Sequence, residues 1–294
     1  MISPSIQAFY NDIVLKLKAL YPNEEARAMA DRLFEFFFDL SPAQRIIAGS
    51  AMAIEANRQL IDAAVVSLLK QVPLQYVLGK ADFMDMEFVV NPSVLIPRPE
   101  TEELVSLILK DISIHKPEME LQVLDIGTGS GCIAISLKRF LPVSIVTAVD
   151  ISEEAITVAG LNALKNKADI RFIQADILDE NLWEMFPPYD LIVSNPPYVT
   201  LAEKQFIQHN VLDYEPHTAL FVPDTDPLLF YRNIIAFATK KLQNGGSLWF
   251  EINEQFGNEL KFMALEQGFE EVNIIFDFRG KSRFLQCSKM KKLK

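Results

Sequence analysis

Short apolar runs alternate with helical segments from about residue 123 to residue 252, and this alternation is the strongest constraint on the fold. The apolar runs predict five strands, at residues 123–126, 145–149, 170–174, 191–194 and 247–252. Helices are predicted after Gly131, from Ser152 and near residues 227–242. Strands that alternate with helices pair into a mainly parallel sheet, because each helix carries the chain back across one face of that sheet.

Two further apolar runs follow a helix predicted at residues 256–267. They lie at residues 272–276 and 282–287, and only a tight link joins them. Consecutive strands with so short a connection are antiparallel. We therefore predict an α/β fold whose seven-stranded sheet is mainly parallel, with an antiparallel last strand.

The first 99 residues differ from the alternating part. Apolar residues recur at helical spacing from about residue 4 to residue 72, and Ser41 followed by Pro42 is typical of a helix start. Short extended segments separated by glycine and proline follow, as in a hairpin-like linker. The predicted domains are a small helical domain at 1–72, a β-hairpin linker at 73–99 and a main domain at 100–294.

The charge of the chain is acidic and unevenly distributed. The net charge is −11, and residues 279–294 contain seven Lys or Arg and no acid, so the rest of the chain carries −18. Such an acidic body repels a phosphate backbone, which argues against stable binding of nucleic acid.

Other features of the composition indicate the cellular setting. The two cysteines predict neither a disulfide framework nor a metal site. The apolar stretches are too short to span a bilayer, and the N-terminus lacks the basic and apolar regions of a signal peptide. We therefore expect a cytoplasmic protein, monomeric, with no bound metal and no membrane partner.

A glycine-rich turn follows the first strand of the predicted sheet. Its glycines occupy every second position from Gly127 to Gly131, and Asp125 lies two positions before the first. Glycines let the backbone pass close to a ligand, and a helix N-terminus favours an anionic group. Asp150 ends the next strand, where a carboxylate accepts from ribose hydroxyls, and Asp176 ends the following strand, in reach of an adenine amino group. The layout fits any cofactor that contains adenosine.

Asn195-Pro196-Pro197-Tyr198 form a rigid elbow after the strand predicted at 191–194. Consecutive prolines lack backbone donors and have a fixed φ, so they cannot continue the strand. The elbow displays one amide, carbonyls without a competing N–H and one aromatic ring. Such a group can hold an –NH2 by both hydrogens beside a flat surface, whereas Asn-Pro alone also occurs as a simple strand-ending turn. By itself the elbow leaves nucleobases and protein amides equally open as substrates.

The glycine spacing resembles that of one class of enzymes. A dinucleotide fingerprint requires glycine where this chain has Cys132, which disfavours a dehydrogenase. The turn is similar to the motif of class I methyltransferases, and the resemblance implies their Rossmann-like fold and S-adenosylmethionine as the cofactor. The cofactor-binding residues that it implies are Asp125, Gly127, Thr128, Gly129, Ser130, Gly131, Asp150, Asp176, Ile177 and Asn195.

The elbow and three further segments resemble the HemK/PrmC family. The elbow is similar to the motif of methyltransferases that act on adenine N6, cytosine N4 or glutamine N5. Residues 73–79 (PLQYVLG), 94–102 (VLIPRPETE) and 277–283 (DFRGKSR) resemble the linker and C-terminal signatures of the family. Its members methylate the glutamine of the Gly-Gly-Gln motif in class I peptide-chain release factors, so the resemblance implies a release factor as the protein substrate.

The resemblance also implies roles for individual residues. Asn195 Oδ1 and the Pro196 carbonyl would each accept one N–H of the substrate amide, and Tyr198 would cover its opposite face; these three residues are the predicted catalytic group. The predicted substrate-binding residues are Leu95, Ile96, Asn195, Pro196, Pro197 and Tyr198.

Some positions leave a choice. Some family members have an aromatic residue where this chain has Ile177, so adenine packing would be weaker here or come from Leu178. Two roles are equally open for Arg98, Glu100 and Thr101. They could form a buried ion pair and a helix cap that fix the linker, or they could contact a ligand.

Two other functions compete with the leading one. An adenine-N6 nucleic-acid methyltransferase would need a basic, aromatic-bearing face and a base-flipping pocket, and the acidic body counts against it. A cofactor-sensing protein without activity is disfavoured because the elbow is intact.

Overall fold

The described residues of the computed structural model, 4–53, 55–115 and 119–289, contain twelve α-helices, eleven strands and two short 3-10 helices, Glu180–Met185 and Leu201–Phe206. The helices are α1 Ile6–Leu17, α2 Asn23–Phe38, α3 Pro42–Ile47, α4 Glu55–Leu69, α5 Leu74–Leu78, α6 Pro99–His115, α7 Cys132–Phe140, α8 Glu153–Lys165, α9 His209–Tyr214, α10 His217–Leu220, α11 Leu229–Lys241 and α12 Gly257–Glu266. The strands are β1 Lys80–Phe83, β2 Met86–Val89, β3 Gln122–Ile126, β4 Ile145–Asp150, β5 Ile170–Gln174, β6 Tyr189–Ser194, β7 Val199–Thr200, β8 Phe221–Val222, β9 Leu242–Glu251, β10 Glu271–Phe276 and β11 Ser282–Ser288. None of these helices combines the length and apolarity that crossing a bilayer requires.

The central sheet has seven strands in the order β10-β11-β9-β6-β3-β4-β5. The strands from β9 to β5 pair in parallel, and β11 pairs antiparallel with both β9 and β10. This confirms the predicted α/β fold with a mainly parallel seven-stranded sheet and an antiparallel last strand. The register places Ile126 beside Ser194 and Ser194 beside Phe250. β3, β6 and β9 therefore end at one edge of the sheet, where open α/β sheets bind their ligands.

Alternating side chains of the central strands supply two separate cores. Leu124 of β3 and Ile192 of β6 belong to the core that contains residues of α11 and α12, whereas Val123 and Leu191 belong to the core that contains residues of α6 and α7. Successive side chains of a strand point to opposite faces. A strand covered on both faces is therefore apolar at nearly every position, which makes it recognisable in the sequence.

The chain forms two compact units. The first contains Met1–Gly79 and Gln208–Tyr214, and the second contains Lys80–Ile207 and Glu215–Lys294. In the first unit, α1 and α4 bury Ile13 and Ile61 completely. Ser41 caps α3 and Pro42 is its first residue, as predicted. The domain limits at residues 72 and 99 stay a prediction.

β1 and β2 form an antiparallel hairpin within the predicted linker. Met84 and Asp85 make its turn with positive φ of 50° and 58°, as two-residue hairpin turns require. Asn162 of α8 fastens the hairpin: its Oδ1 accepts from Val89 N at 2.6 Å, and its Nδ2 donates to Val89 O at 2.9 Å. The same Nδ2 donates to Ser130 O at 2.9 Å. The side chain of Asn162 is therefore hydrogen-bonded to both the hairpin and the glycine-rich turn.

Candidate active site

A cavity of about 380 Å³ opens at the carboxyl edge of the sheet. Its wall includes the turn between β3 and α7, the ends of β4 and β5, the elbow after β6 and the segment before α6. Most predicted site residues line it: Leu95, Ile96, Gly127, Thr128, Gly129, Ser130, Asp150, Asp176, Ile177, Asn195, Pro196 and Pro197. Three predicted site residues, Asp125, Gly131 and Tyr198, do not line the cavity.

The glycine-rich turn requires glycine for two different reasons. Gly129 has a φ of 54° and open space where a Cβ atom would lie, so the backbone conformation alone requires glycine there. Gly131 has a φ of 81°, and a Cβ atom there would lie 3.0 Å from Ile135 Cδ1 and 3.1 Å from Ala159 Cβ. The turn therefore packs closely against α8 at Gly131 and leaves its backbone accessible to a ligand at Gly129.

Asp125 is fully buried beneath this turn. Its Oδ2 accepts from Thr128 Oγ1 at 2.7 Å and from Ala134 N at 3.2 Å, and its Oδ1 has no hydrogen-bond partner among the described residues. Burial raises the pKa of Asp125 to about 7, because desolvation disfavours the carboxylate more than the two hydrogen bonds favour it. An acid with a free buried oxygen next to a cavity is a candidate partner for a ligand cation.

Asp150 and Asp176 lie where β4 and β5 end. Asp150 Oδ2 accepts from Gly129 N at 2.9 Å and Oδ1 accepts from Ser152 N at 3.0 Å. Burial raises the pKa of Asp150, and these backbone hydrogen bonds offset part of that rise. Asp176 Oδ1 accepts from Leu178 N at 2.9 Å. Both carboxylates therefore shape their own turns and keep acceptor positions for hydroxyl or amino groups of a ligand.

The elbow is attached to the sheet and to α6 by side-chain hydrogen bonds. Ser194 Oγ donates to Ile126 O at 2.7 Å, which holds the end of β6 against β3. Asn195 Nδ2 donates to Thr101 Oγ1 at 3.2 Å. An amide accepts hydrogen bonds only through its oxygen, and with Nδ2 placed at Thr101 the Oδ1 atom can accept from a ligand.

Tyr198 and Thr101 meet at a buried carboxylate. Tyr198 OH donates to Glu251 Oε1 at 3.0 Å, and Thr101 Oγ1 donates to Glu251 Oε2 at 2.7 Å. Burial raises the pKa of Glu251, and the two hydroxyl hydrogen bonds and the charge of Arg283 partly oppose that rise. Burial also raises the pKa of Tyr198, with the nearby charge of Glu251 adding to it. Tyr198 is therefore a neutral donor and not a general base.

The comparison with known proteins decides the family. Residues 104–216 match the family model described as methyltransferase small domain. A release factor glutamine methyltransferase of Flavobacterium psychrophilum is 39% identical over 283 residues, which are 96% of this chain and 99% of that protein. One of Bacteroides thetaiotaomicron is 42% identical over 93% of this chain and 96% of that protein. The chain belongs to the release factor glutamine methyltransferase family.

A solved structure agrees with this assignment at the level of the fold. The crystal structure of a methyltransferase from Pyrococcus furiosus matches with a TM-score of 0.52 at 19% identity, over 81% of this chain and 100% of that chain. The predicted family and the predicted enzyme class, a methyltransferase, are thereby confirmed.

As expected for a methyltransferase, the cavity fits S-adenosylmethionine. The accessible backbone at Gly129 suits the carboxylate of the amino-acid part, and Asp125, buried behind the turn, would place a negative charge near its ammonium group. Asp150 and Asp176 line the cavity, where Asp150 would accept from the ribose hydroxyls and Asp176 from the adenine amino group. Ile177 is buried and lines the cavity beside Leu178, so the adenine would pack on aliphatic side chains.

The linker signature that this chain shares with the release factor glutamine methyltransferases contains a partly buried ion pair. Arg98 donates to Glu215 Oε1 at 2.5 Å, and Glu215 Oε2 accepts from Ile96 N at 3.3 Å. The Glu215 side chain is only 1% exposed. Arg98 forms the ion pair and also lines the cavity, so its contact with a ligand stays a prediction. The Thr101 hydroxyl bonds to the side chains of Glu251 and Asn195, and the Thr101 backbone N–H donates to Arg98 O at 3.0 Å within the linker signature.

Sequence reasoning missed two carboxylates of this site, Glu215 and Glu251. Glu251 carries a readable signal, because it ends a buried strand as Asp150 does and therefore lies at the same edge of the sheet. Glu215 carries none, since it lies in a loop whose sequence has no recognisable spacing. The aromatic side chains of Phe221 and Phe230, which complete the cavity wall, were equally unmarked.

Proposed function

We propose that the protein transfers a methyl group from S-adenosylmethionine to the side-chain amide nitrogen, N5, of the glutamine in the Gly-Gly-Gln motif of class I peptide-chain release factors. The observation that carries the proposal is the orientation of Asn195, whose nitrogen is held by Thr101 so that its oxygen remains to receive a substrate N–H. Family membership supports a glutamine as the methylated side chain.

The elbow residues would activate the substrate by position. An amide nitrogen is a poor nucleophile, because its lone pair is delocalised into the carbonyl. With one N–H bonded to Asn195 Oδ1 and the other to the Pro196 carbonyl, the nitrogen is fixed with its lone-pair direction facing the cofactor. This is catalysis by orientation and by preorganised acceptors.

The remaining residues of the site would bind the cofactor and exclude water. When bound, S-adenosylmethionine supplies an electrophilic methyl group on a sulfonium sulfur. Pro197 and the apolar side chains of Leu95 and Ile96 line the cavity next to the elbow and would keep water from it. No strong base would be needed, because the nitrogen proton becomes acidic as the N–C bond forms and the C–S bond breaks to leave S-adenosylhomocysteine, and it would pass to solvent as the products leave.

The partners and the setting follow the same proposal. A release factor is the protein substrate, and the acidic body supports activity without stable binding of nucleic acid. We further propose a monomer that acts in the cytoplasm. An adenine-N6 methyltransferase is not favoured, because the relatives are named as methyltransferases of a release factor glutamine.

One labelling experiment tests this function. The protein is incubated with S-adenosylmethionine labelled in the methyl group and with a release factor, its variant with Gly-Gly-Ala in place of Gly-Gly-Gln, or duplex DNA. We expect label in the intact release factor alone. Label in DNA, or equal label in the Gly-Gly-Ala variant, would refute the proposal.

A further inference from the structure

Glu251 lies beside the elbow although it is 56 residues further along the chain. β9 pairs in parallel with β6, and Ser194 is opposite Phe250, so the residue after β6 and the last residue of β9 leave the sheet side by side. The Glu251 side chain reaches α6 through Thr101 and the elbow through Tyr198. One carboxylate therefore joins two elements that border the cavity.

The hydrogen bonds of this group run from Asn195 to Thr101, and from Thr101 and Tyr198 to Glu251. An ionised carboxylate only accepts hydrogen bonds, so the hydroxyls of Thr101 and Tyr198 must both donate to it. A hydroxyl has one proton, and Thr101 Oγ1 can then only accept from Asn195. An atom that can only accept must be contacted by the nitrogen of the Asn195 amide and not by its oxygen. The amide is therefore oriented with Nδ2 at Thr101.

We propose that Glu251 is a positioning residue that orients the Asn195 amide through Thr101 and holds Tyr198 directly. The inference rests on the proposed function, because it assumes that Asn195 Oδ1 accepts from the substrate amide. Glu251 does not line the cavity, so it would act only by fixing which atoms of the elbow face it.

The surroundings of Glu251 show that its charge is not placed for stability. The side chain is 2% exposed, and the charges near it are Arg283 of β11 and Glu100 of α6, with Tyr198 neutral. Arg283 also lies near Asp277 and Glu254, so its charge is shared among several acids. A buried carboxylate with so little compensation costs stability, which is expected where a charge is retained for function.

The test compares Glu251→Gln with Glu254→Gln, an exposed carboxylate nearby that pairs with Lys281. Glutamine has nearly the same shape but a single acceptor oxygen, so it serves only one of the two hydroxyls. We expect Glu251→Gln to lower kcat about tenfold or more, with the KM for the release factor and the calorimetric Kd for S-adenosylmethionine nearly unchanged. Its melting temperature should stay equal or rise. Glu254→Gln should match the wild type.

Two variants of Thr101 and a pH profile complete the test. Thr101→Ser keeps the hydroxyl and should retain most of kcat, whereas Thr101→Val should lose it. At saturating cofactor, kcat of the wild type should fall toward low pH as Glu251 gains a proton and becomes a donor, and Glu251→Gln should lack that fall.

The outcomes separate the inference from the function on which it rests. Wild-type kcat in Glu251→Gln, or equal losses in Thr101→Ser and Thr101→Val, would overturn the role of Glu251 and leave the proposed function intact. An inactive wild type would overturn the proposed function itself.

Discussion

The carboxylate of Asp150 and the backbone N–H of Gly129 are joined by a hydrogen bond of 2.9 Å. The acid at the end of β4 thus holds the middle of the glycine-rich turn, and it also faces the cavity. Asp150 links the shape of the turn to the position where the ribose of the cofactor would bind.

Asp150→Ala should therefore weaken the binding of S-adenosylmethionine. It removes the acceptor for the ribose hydroxyls and leaves Gly129 N without its partner, and the loss of hydrogen bonds to a charged group predicts a Kd at least about tenfold higher. Isothermal titration calorimetry measures this Kd. Asp169→Ala, at an exposed position, is the matched control and should bind normally. Unchanged affinity in Asp150→Ala would contradict the assigned role.

Asp125 should make cofactor binding depend on pH. Its folded pKa of about 7 lies above the ordinary 3.8, so below about pH 7 the acid is protonated and cannot pair with a ligand ammonium group. The affinity for S-adenosylmethionine should then rise by at most about tenfold per pH unit up to about pH 7, and be constant above it. Asp125→Asn should remove this slope.

The pH effect has a second readout. When S-adenosylmethionine binds to protonated Asp125, the acid releases a proton to the buffer. The binding enthalpy measured by calorimetry at about pH 6.5 should therefore differ between buffers of different ionisation enthalpy. Asp169→Asn should behave like the wild type. Equal enthalpies in all buffers would show that Asp125 does not change its protonation on binding.

Asp125 should also affect stability with a definite sign. Because its folded pKa is raised, the folded state binds a proton more tightly than the unfolded chain. Relative to low pH, Asp125 therefore does not change the free energy of unfolding below about pH 4, and it lowers that free energy increasingly as the pH rises to about 7. Asp125→Asn lacks this cost, so its melting temperature relative to the wild type should increase across that window, as followed by circular dichroism.

Asn195→Ala should reduce turnover much more than cofactor affinity. It removes one preorganised acceptor for the substrate amide, which predicts a kcat lower by about 10²-fold. Methylation of a release factor under saturating conditions measures kcat, and calorimetry measures the Kd for S-adenosylmethionine. The control is Asn181→Ala, at an exposed amide outside the cavity. Equal losses in both quantities would mean that Asn195 is chiefly a cofactor ligand.

Arg98→Met should destabilise the protein through the partner that it leaves behind. Glu215 would then be a buried, unpaired charge, and breaking such a pair lowers the free energy of unfolding by about 3 kcal/mol. Arg232→Met is the control, because its partner Asp226 is partly exposed and the expected change is within about 1 kcal/mol. Urea unfolding followed by circular dichroism measures both. Similar small losses would show that the ion pair does not lock the linker.

The sequence predicted the sheet and much of the cavity because both depend on local patterns. A strand that is buried on both faces is a continuous apolar run, and Asp150, Asp176 and Asn195 could be placed at the carboxyl edge because each directly follows such a run. Glycines at alternate positions likewise report a backbone requirement at each site, as the φ values of the turn confirm.

The contacts behind the cavity could not be predicted in the same way. Which residues meet across adjacent strands depends on the order of the strands in the sheet, and a single apolar run does not specify its neighbours. Thr101, Asn195 and Glu251 come together only because β9 is placed beside β6. Tyr198 shows the limit clearly: its hydroxyl bonds to Glu251 and its ring packs against the core, while its contact with the substrate stays a prediction.

The hydrogen bond between Thr101 and Glu251 joins residues 150 positions apart. During synthesis, a chain that has emerged as far as Tyr198 already contains the glycine-rich turn and the whole elbow. It lacks the strand that carries Glu251, and therefore the acceptor toward which the Thr101 hydroxyl points. The hydrogen bonds that connect Asn195, Thr101 and Glu251 form only when β9 joins the sheet, so the growing chain would become competent for methyl transfer late, after most of it has been made.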